Sequence, residues 1–132
     1  MEKKHQLVAG AVMFRGGKVF AAQRAGGISK GGWEFPGGKA EMGEDGKTAV
    51  VRELKEELNA TVRPMELLGS VTWETCDKIM TLECYRCELL SEIELLEHAD
   101  GKWLSEKELD SVNWLPADRE ILPKVIAEME KT

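Results

Sequence analysis

Three glutamates, Glu53, Glu56 and Glu57, sit close together in the stretch KTAVVRELKEEL from Lys47 to Leu58. That stretch contains good helix formers and no Gly or Pro, and Asn59 follows its end, so it is expected to be a helix. Wound at roughly 100° per residue, Val50, Val51, Leu54 and Leu58 form one apolar stripe. Glu53, Glu56 and Glu57 form an adjacent acidic stripe, and Arg52 lies further round. Carboxylates at i, i+3 and i+4 are neighbours and repel one another. Solvent or a cation must relieve that repulsion, and hard divalent cations such as magnesium take oxygen ligands together with substrate phosphates. Glu41 and Glu44, just before the helix, could add carboxylates. Taken alone, such a stripe is in most proteins a solvated face.

The spacing around the helix says more. Gly38, five residues, Glu44, seven residues, and then Arg52-Glu53-Leu54-Lys55-Glu56-Glu57-Leu58-Asn59-Ala60 resembles the Nudix box, a long discontinuous signature with little scope for a chance match. Every charged position agrees. Asn59 stands where the family usually has glycine, and Asn is the non-glycine residue that best tolerates a left-handed helix cap. Trp33 to Lys39 (WEFPGGK), Glu41 to Glu44 (EMGE), Glu97 six residues before Trp103, and Pro116-Ala117-Asp118 are similar to the MutT branch and its relatives acting on CTP.

The resemblance implies an α+β Nudix fold, a mixed β-sheet sandwiched between helices, with residues 1–132 forming one domain. It implies hydrolysis of a nucleoside triphosphate to monophosphate and pyrophosphate, on 8-oxo-dGTP or CTP/dCTP-type substrates. The cofactor implied is Mg2+, with Mn2+ as a substitute. Glu53 and Glu57 become direct metal ligands with the Gly37 carbonyl, and Glu56 a further ligand. Arg52 is expected to pair with and orient a box glutamate, the alternative being a surface salt bridge of little consequence. Glu53 and Glu97 are both candidates for the general base. Arg24, Glu34, Phe35, Gly37, Lys39 and Asp118 are the substrate-binding candidates. For Arg24 a strand-end surface charge is the competing reading. For Phe35 it is a core position. For Asp118 it is a carboxylate serving the first turn of a helix that Pro116 begins.

The surrounding elements must hold these groups. Gln6–Phe14 and Lys18–Gln23 read as a hairpin across Gly16-Gly17. Residues Ala25–Gly32 form a glycine-rich loop, and Trp33–Phe35 is a short extended piece ended by a Pro-Gly-Gly turn. Leu67–Cys76, Lys78–Leu89 and Lys102–Leu104 read as strands. Ser105 opens a short helix with Glu108 completing a capping box. In the last helix Ile121, Leu122, Val125, Ile126 and Met129 recur at helical spacing. Cys84 and Cys87 would face opposite sides of their strand, which removes a zinc half-site. His5 and His98 are isolated in sequence and are expected at the surface.

Composition sets outer bounds. The 132 residues are 42% hydrophobic and 32% charged, and the net charge is −6. That field does not attract a nucleic-acid polymer. No stretch matches a membrane span, and the N-terminal segment lacks a signal peptide's cleavage pattern. Three cysteines fit a reducing cytoplasm. The partner expected is a nucleoside triphosphate, and the chain a monomer or homodimer. The alternatives are a hydrolase of nucleoside diphosphate-linked compounds and a non-catalytic nucleotide-binding module.

Overall fold

The computed structural model describes residues 2–131. Its spine is β1 (Lys4–Arg15), whose middle residues are buried on both faces. The alternation of side chains sorts them between two cores. Ala9, Ala11 and Met13 face one apolar cluster, and Val12, with the partly buried Val8 and Phe14, faces the other. A strand buried on both sides suits the centre of a mixed sheet.

From β1 the chain turns through Gly16-Gly17, both at positive φ (57° and 76°), into β2 (Lys18–Gln23), as the hairpin reading required. On its other edge β1 runs parallel to β6 (Lys78–Leu89), from Lys4↔Lys78 to Met13↔Cys87. The strand β5 (Val62–Glu74) pairs antiparallel with β6. It starts five residues earlier than the apolar pattern indicated, because Pro64 and a register shift interrupt that pattern. Short strands β3 (Trp33–Glu34) and β7 (Asp100–Leu104) add to β2.

The expected turn at Pro36-Gly37-Gly38 is instead the entry to a strand, β4 (Gly37–Lys39), paired with Val8–Gly10 of β1. The reason is local. The Ala11 N–H donates to the Pro36 carbonyl at 2.8 Å, and a Cβ on Gly37 would collide with the Ala9 carbonyl. Glycine here lets the backbone lie against β1, a use that composition does not distinguish from a turn.

Two helices cover the sheet. The first, α1 (Gly46–Leu58), starts one residue earlier than expected. Its N-cap Asp45 accepts the Thr48 N–H at 2.8 Å. It ends at Asn59 in the left-handed region, φ 48°, the cap that the sequence anticipated. Its buried face is Gly46, Ala49, Val50, Leu54 and Leu58. Val51, expected in the apolar stripe, is 40% exposed, since the contact stripe lies slightly round the helix toward Ala49. The second, α2 (Pro116–Glu130), packs Ile121, Leu122, Val125 and Met129 on the opposite core. Ser105 does begin a helical segment with the Glu108 capping box, but Glu106–Ser111 is 3-10 rather than α. Cys84 and Cys87 fall in different cores. No helix among the described residues is long and apolar enough to cross a membrane.

Candidate active site

Burial of Val50, Leu54 and Leu58 against β1 turns the adjacent acidic stripe of α1 onto β4. The stripe is therefore not the exposed face that helical winding suggested. Glu57 is largely buried, and its Oε1 accepts the Gly37 N–H at 3.1 Å. Glu53 packs over Gly38 so closely that a Cβ there would lie 2.6 Å from its carboxylate. Only Glu56 keeps an open carboxylate, 54% exposed. Gly37 and Gly38 thus let two helix carboxylates rest on strand backbone.

Arg52 organises the remaining acids. Its Nε and Nη2 donate to the two oxygens of Glu44 at 2.8 and 2.9 Å, a bidentate pair. Nη1 donates to Glu53 at 3.0 Å and to Glu56 at 3.2 Å, and Nη2 also reaches the Lys39 carbonyl at 3.0 Å. A further ion pair to Glu41 measures 3.1 Å. The arginine contacts hold Glu44 down at about 2, helped by the Glu41 N–H, and the guanidinium's own pKa moves up. Arg52 therefore pairs with three box glutamates at once, Glu44, Glu53 and Glu56, which an isolated surface salt bridge does not do.

Glu57 has the opposite electrostatics. Burial pushes its carboxyl up to about 9, and the charges of Glu34, Glu53 and Glu97 push the same way against the Gly37 N–H. A buried acid surrounded by other acids is the setting a hard divalent cation relieves. The donor chemistry, carboxylate and carbonyl oxygens of Glu53, Glu57 and Gly37, fits such an ion. Among the described residues no three acidic, histidine or cysteine side chains already converge as a ready cage. Glu53 and Glu56 are turned toward Arg52, and Glu57 toward the Gly37 N–H.

Two adjoining cavities open beside β4. The smaller, about 280 Å³, is lined by Arg24, Glu34, Gly37, Glu57, Glu97 and His98. The larger, about 510 Å³, has Arg24, Glu34, Phe35, Lys39, Trp73 and Asp118 on its walls. They share Arg24, Glu34, Gly37 and Gly38. Arg24 is half-exposed, its Nε donating to Glu34 at 2.9 Å. Phe35 satisfies both of its readings: it is buried against Trp114, ring centroids 4.8 Å apart, and it also forms cavity wall.

Asp118 does stand in the first turn of α2, although it is not the N-cap. Leu115 holds that position, and the Leu115 N–H donates to the Trp33 carbonyl at 2.8 Å, which sets the helix start beside β3. Asp118 in consequence lies over the next residues of the chain and accepts the Phe35 N–H at 3.0 Å. Burial raises its carboxyl to about 7. The Phe35 N–H and Arg24 oppose the rise, while Glu34 adds to it.

Two residues at the site escaped sequence reasoning. Trp73 lies on β5, far along the chain from the box, and its strand position carried no motif. His98 was expected at the surface, but its side chain is 5% exposed and its Nε2 lies 3.0 Å from Glu34. Its adjacency to Glu97 was the available signal. A partner 64 positions away was not visible.

The fold and the carboxylate-lined helix–strand junction define a hydrolase-type Nudix module, and comparison agrees. The NUDIX domain family model matches residues 4–127, so the chain belongs to the Nudix family. It is 36% identical over 118 residues to a protein of Mycobacterium tuberculosis named putative 8-oxo-dGTP diphosphatase 2, covering 87% of this chain and 84% of that one. It is 33% identical to the CTP pyrophosphohydrolase of Escherichia coli, covering 91% and 90%. The solution structure of the E. coli ORF135 protein matches with a TM-score of 0.86 at 33% identity, over 95% of this chain and 91% of that one. The mixed sheet between helices is the fold that the box implied.

Proposed function

We propose that the protein hydrolyses nucleoside triphosphates to monophosphate and pyrophosphate, clearing 8-oxo-dGTP or CTP/dCTP-type nucleotides from the pool. The observation that carries this reading is the pair of cavities meeting at Arg24, Glu34, Gly37 and Gly38. One is acidic and suited to metal and phosphates, the other is apolar-walled and sized for a base and sugar. The relatives named for 8-oxo-dGTP and CTP support the substrate class.

Glu53, Glu57 and the Gly37 carbonyl would hold Mg2+, with Mn2+ as a substitute and Glu56 as a further ligand. The ion would neutralise phosphate oxygens and lower the pKa of the attacking water. Arg52 fixes Glu53, Glu56 and Glu44 so that the acidic set keeps its shape. Glu97 is favoured as the base that takes the water's proton: it faces the acidic cavity, while Glu53 is assigned to the metal and shares one oxygen with Arg52. The terminal nitrogens of Arg24 and the ammonium of Lys39, on the cavity rim, contact phosphate. Phe35 forms the floor beneath the base, and Asp118 hydrogen-bonds its edge. An ionised Asp118 accepts from the adjacent donors of a guanine, and a protonated one can serve cytosine's acceptor. The free thiols of Cys76, Cys84 and Cys87 support a cytoplasmic setting.

The test is product analysis across a panel of triphosphates, oxidised dGTP, sugar nucleotides and dinucleotides with Mg2+ or Mn2+. Monophosphate and pyrophosphate from triphosphates is the expected outcome. No turnover with either metal, or a preference for diphosphate-linked compounds, would overturn it.

A further inference from the structure

We infer that His98 is a positioning residue, which through Glu34 fixes the loop that presents Glu97 to the acidic cavity. The inference rests on the proposed role of Glu97.

The segment between β6 and β7 is long and has few side chains in the core. Its backbone is fastened on both sides of Glu97. Toward the helix, the Glu94 N–H donates to the Leu58 carbonyl at 2.8 Å and the Leu96 N–H to the Glu57 carbonyl at 3.0 Å. Toward the sheet, the Ala99 N–H donates to the Gln23 carbonyl at 2.9 Å. Glu97 and His98 are the two residues between these fastenings. Of the two, His98 is the one whose side chain is anchored. Its imidazole is buried, and Nε2 meets Glu34 Oε2 at 3.0 Å. Glu34 is itself buried and gives its other oxygen to Arg24. β3 carries Glu34 and pairs with β2 through Ala22↔Glu34, so the anchor is part of the sheet.

Packing alone does not account for this imidazole. Nδ1 is buried and has no hydrogen-bond partner among the described residues. A buried unpaired nitrogen costs stability, and an aliphatic side chain would avoid the cost. What the histidine supplies and an aliphatic group does not is the contact to Glu34. That contact ties the loop to the wall shared by both cavities. A pivot of Glu97 by about an ångström suffices to cost a large factor in rate, because proton transfer needs hydrogen-bond reach.

The test compares His98→Leu, His98→Gln and Glu97→Gln with wild type. His98→Leu keeps the bulk, and His98→Gln places an N–H donor near the Nε2 position. Expected for His98→Leu are a kcat at least tenfold lower, a nearly unchanged KM, and a melting temperature within a few degrees of wild type, because relief of the unpaired Nδ1 offsets the contact that Glu34 loses. Hydrogen exchange at the Leu96 and Ala99 amides should speed at least tenfold. His98→Gln should recover most of both effects. Adding His98→Leu to Glu97→Gln should cost little further rate, because the two act through one group.

Normal kcat and unchanged exchange in His98→Leu would overturn the inference. So would a loss of rate in His98→Leu that is fully additive with Glu97→Gln. Wild-type kcat in Glu97→Gln would instead defeat the role given to Glu97. The exchange measurement then decides the anchoring by itself: unchanged exchange in His98→Leu refutes it, and accelerated exchange upholds it.

Discussion

Asp118→Asn should make the protein more stable at pH 8 and much less so at pH 5. The native carboxyl is buried at about 7, against an ordinary value of 3.8. A native acid with a raised pKa binds more protons than the unfolded chain does, so stability falls as pH rises between those two values. At 1.36 kcal/mol per pKa unit the full penalty is at most about 4 kcal/mol, reached above pH 7. Roughly 2 to 3 kcal/mol of it develops between pH 5 and pH 8. Asparagine carries no charge and can still accept the Phe35 N–H through its side-chain oxygen. Burial is the main cause of the shift. The charged groups facing Asp118 are Glu34, which adds to the penalty, and Arg24, which offsets part of it; the buried Cys84 thiol stays protonated. Urea denaturation of variant and wild type at each pH gives the difference directly, and the comparison cancels other titrating groups, Glu57 among them. The stabilising effect should grow by roughly 2 to 3 kcal/mol from pH 5 to pH 8, or about 10 °C in Tm. Equal effects at both pH values would refute the reasoning, by showing that the carboxyl titrates near its ordinary value.

Glu53→Gln and Glu57→Gln should each lower Mg2+-dependent turnover by orders of magnitude, and Glu57→Gln should raise metal-free Tm because a buried, repelled carboxyl is removed; near-normal turnover in either removes that residue from the site. Gly38→Ala should fold with only a modest loss of Tm, since the atoms nearest its Cβ are the carboxylate end of Glu53, which can swing aside by giving up its Arg52 contact, yet turnover should fall at least tenfold as that carboxylate is displaced. Asn59→Ala should cost about 1 kcal/mol in denaturation, because a left-handed φ of 48° strains alanine. Asn59→Gly should change stability by no more than roughly 0.5 kcal/mol.

The sequence by itself determined the helix of the box, its acidic composition and its Asn cap, because these depend on contacts within a few residues. The spacing from Gly38 to Ala60 identified the family, and with it the mixed sheet that local periodicity does not specify. The hairpin of β1 and β2 across the Gly16-Gly17 turn was legible for the same local reason. Tertiary structure decided which acids are buried. Glu53, Glu56 and Glu57 share one stripe in any helical winding, but packing of Leu54 and Leu58 on β1 buries two against Gly37-Gly38 and leaves Glu56 open. It also made a strand of what read as a Pro-Gly-Gly turn, because only the Ala9 carbonyl explains why glycine stands at position 37. Asp118 meets the Phe35 N–H across 83 positions, and His98 meets Glu34 across 64. Such pairs leave no local trace: each side chain satisfies ordinary propensity where it stands, and its partner exists only once β3, α2 and the Glu97 loop are folded together.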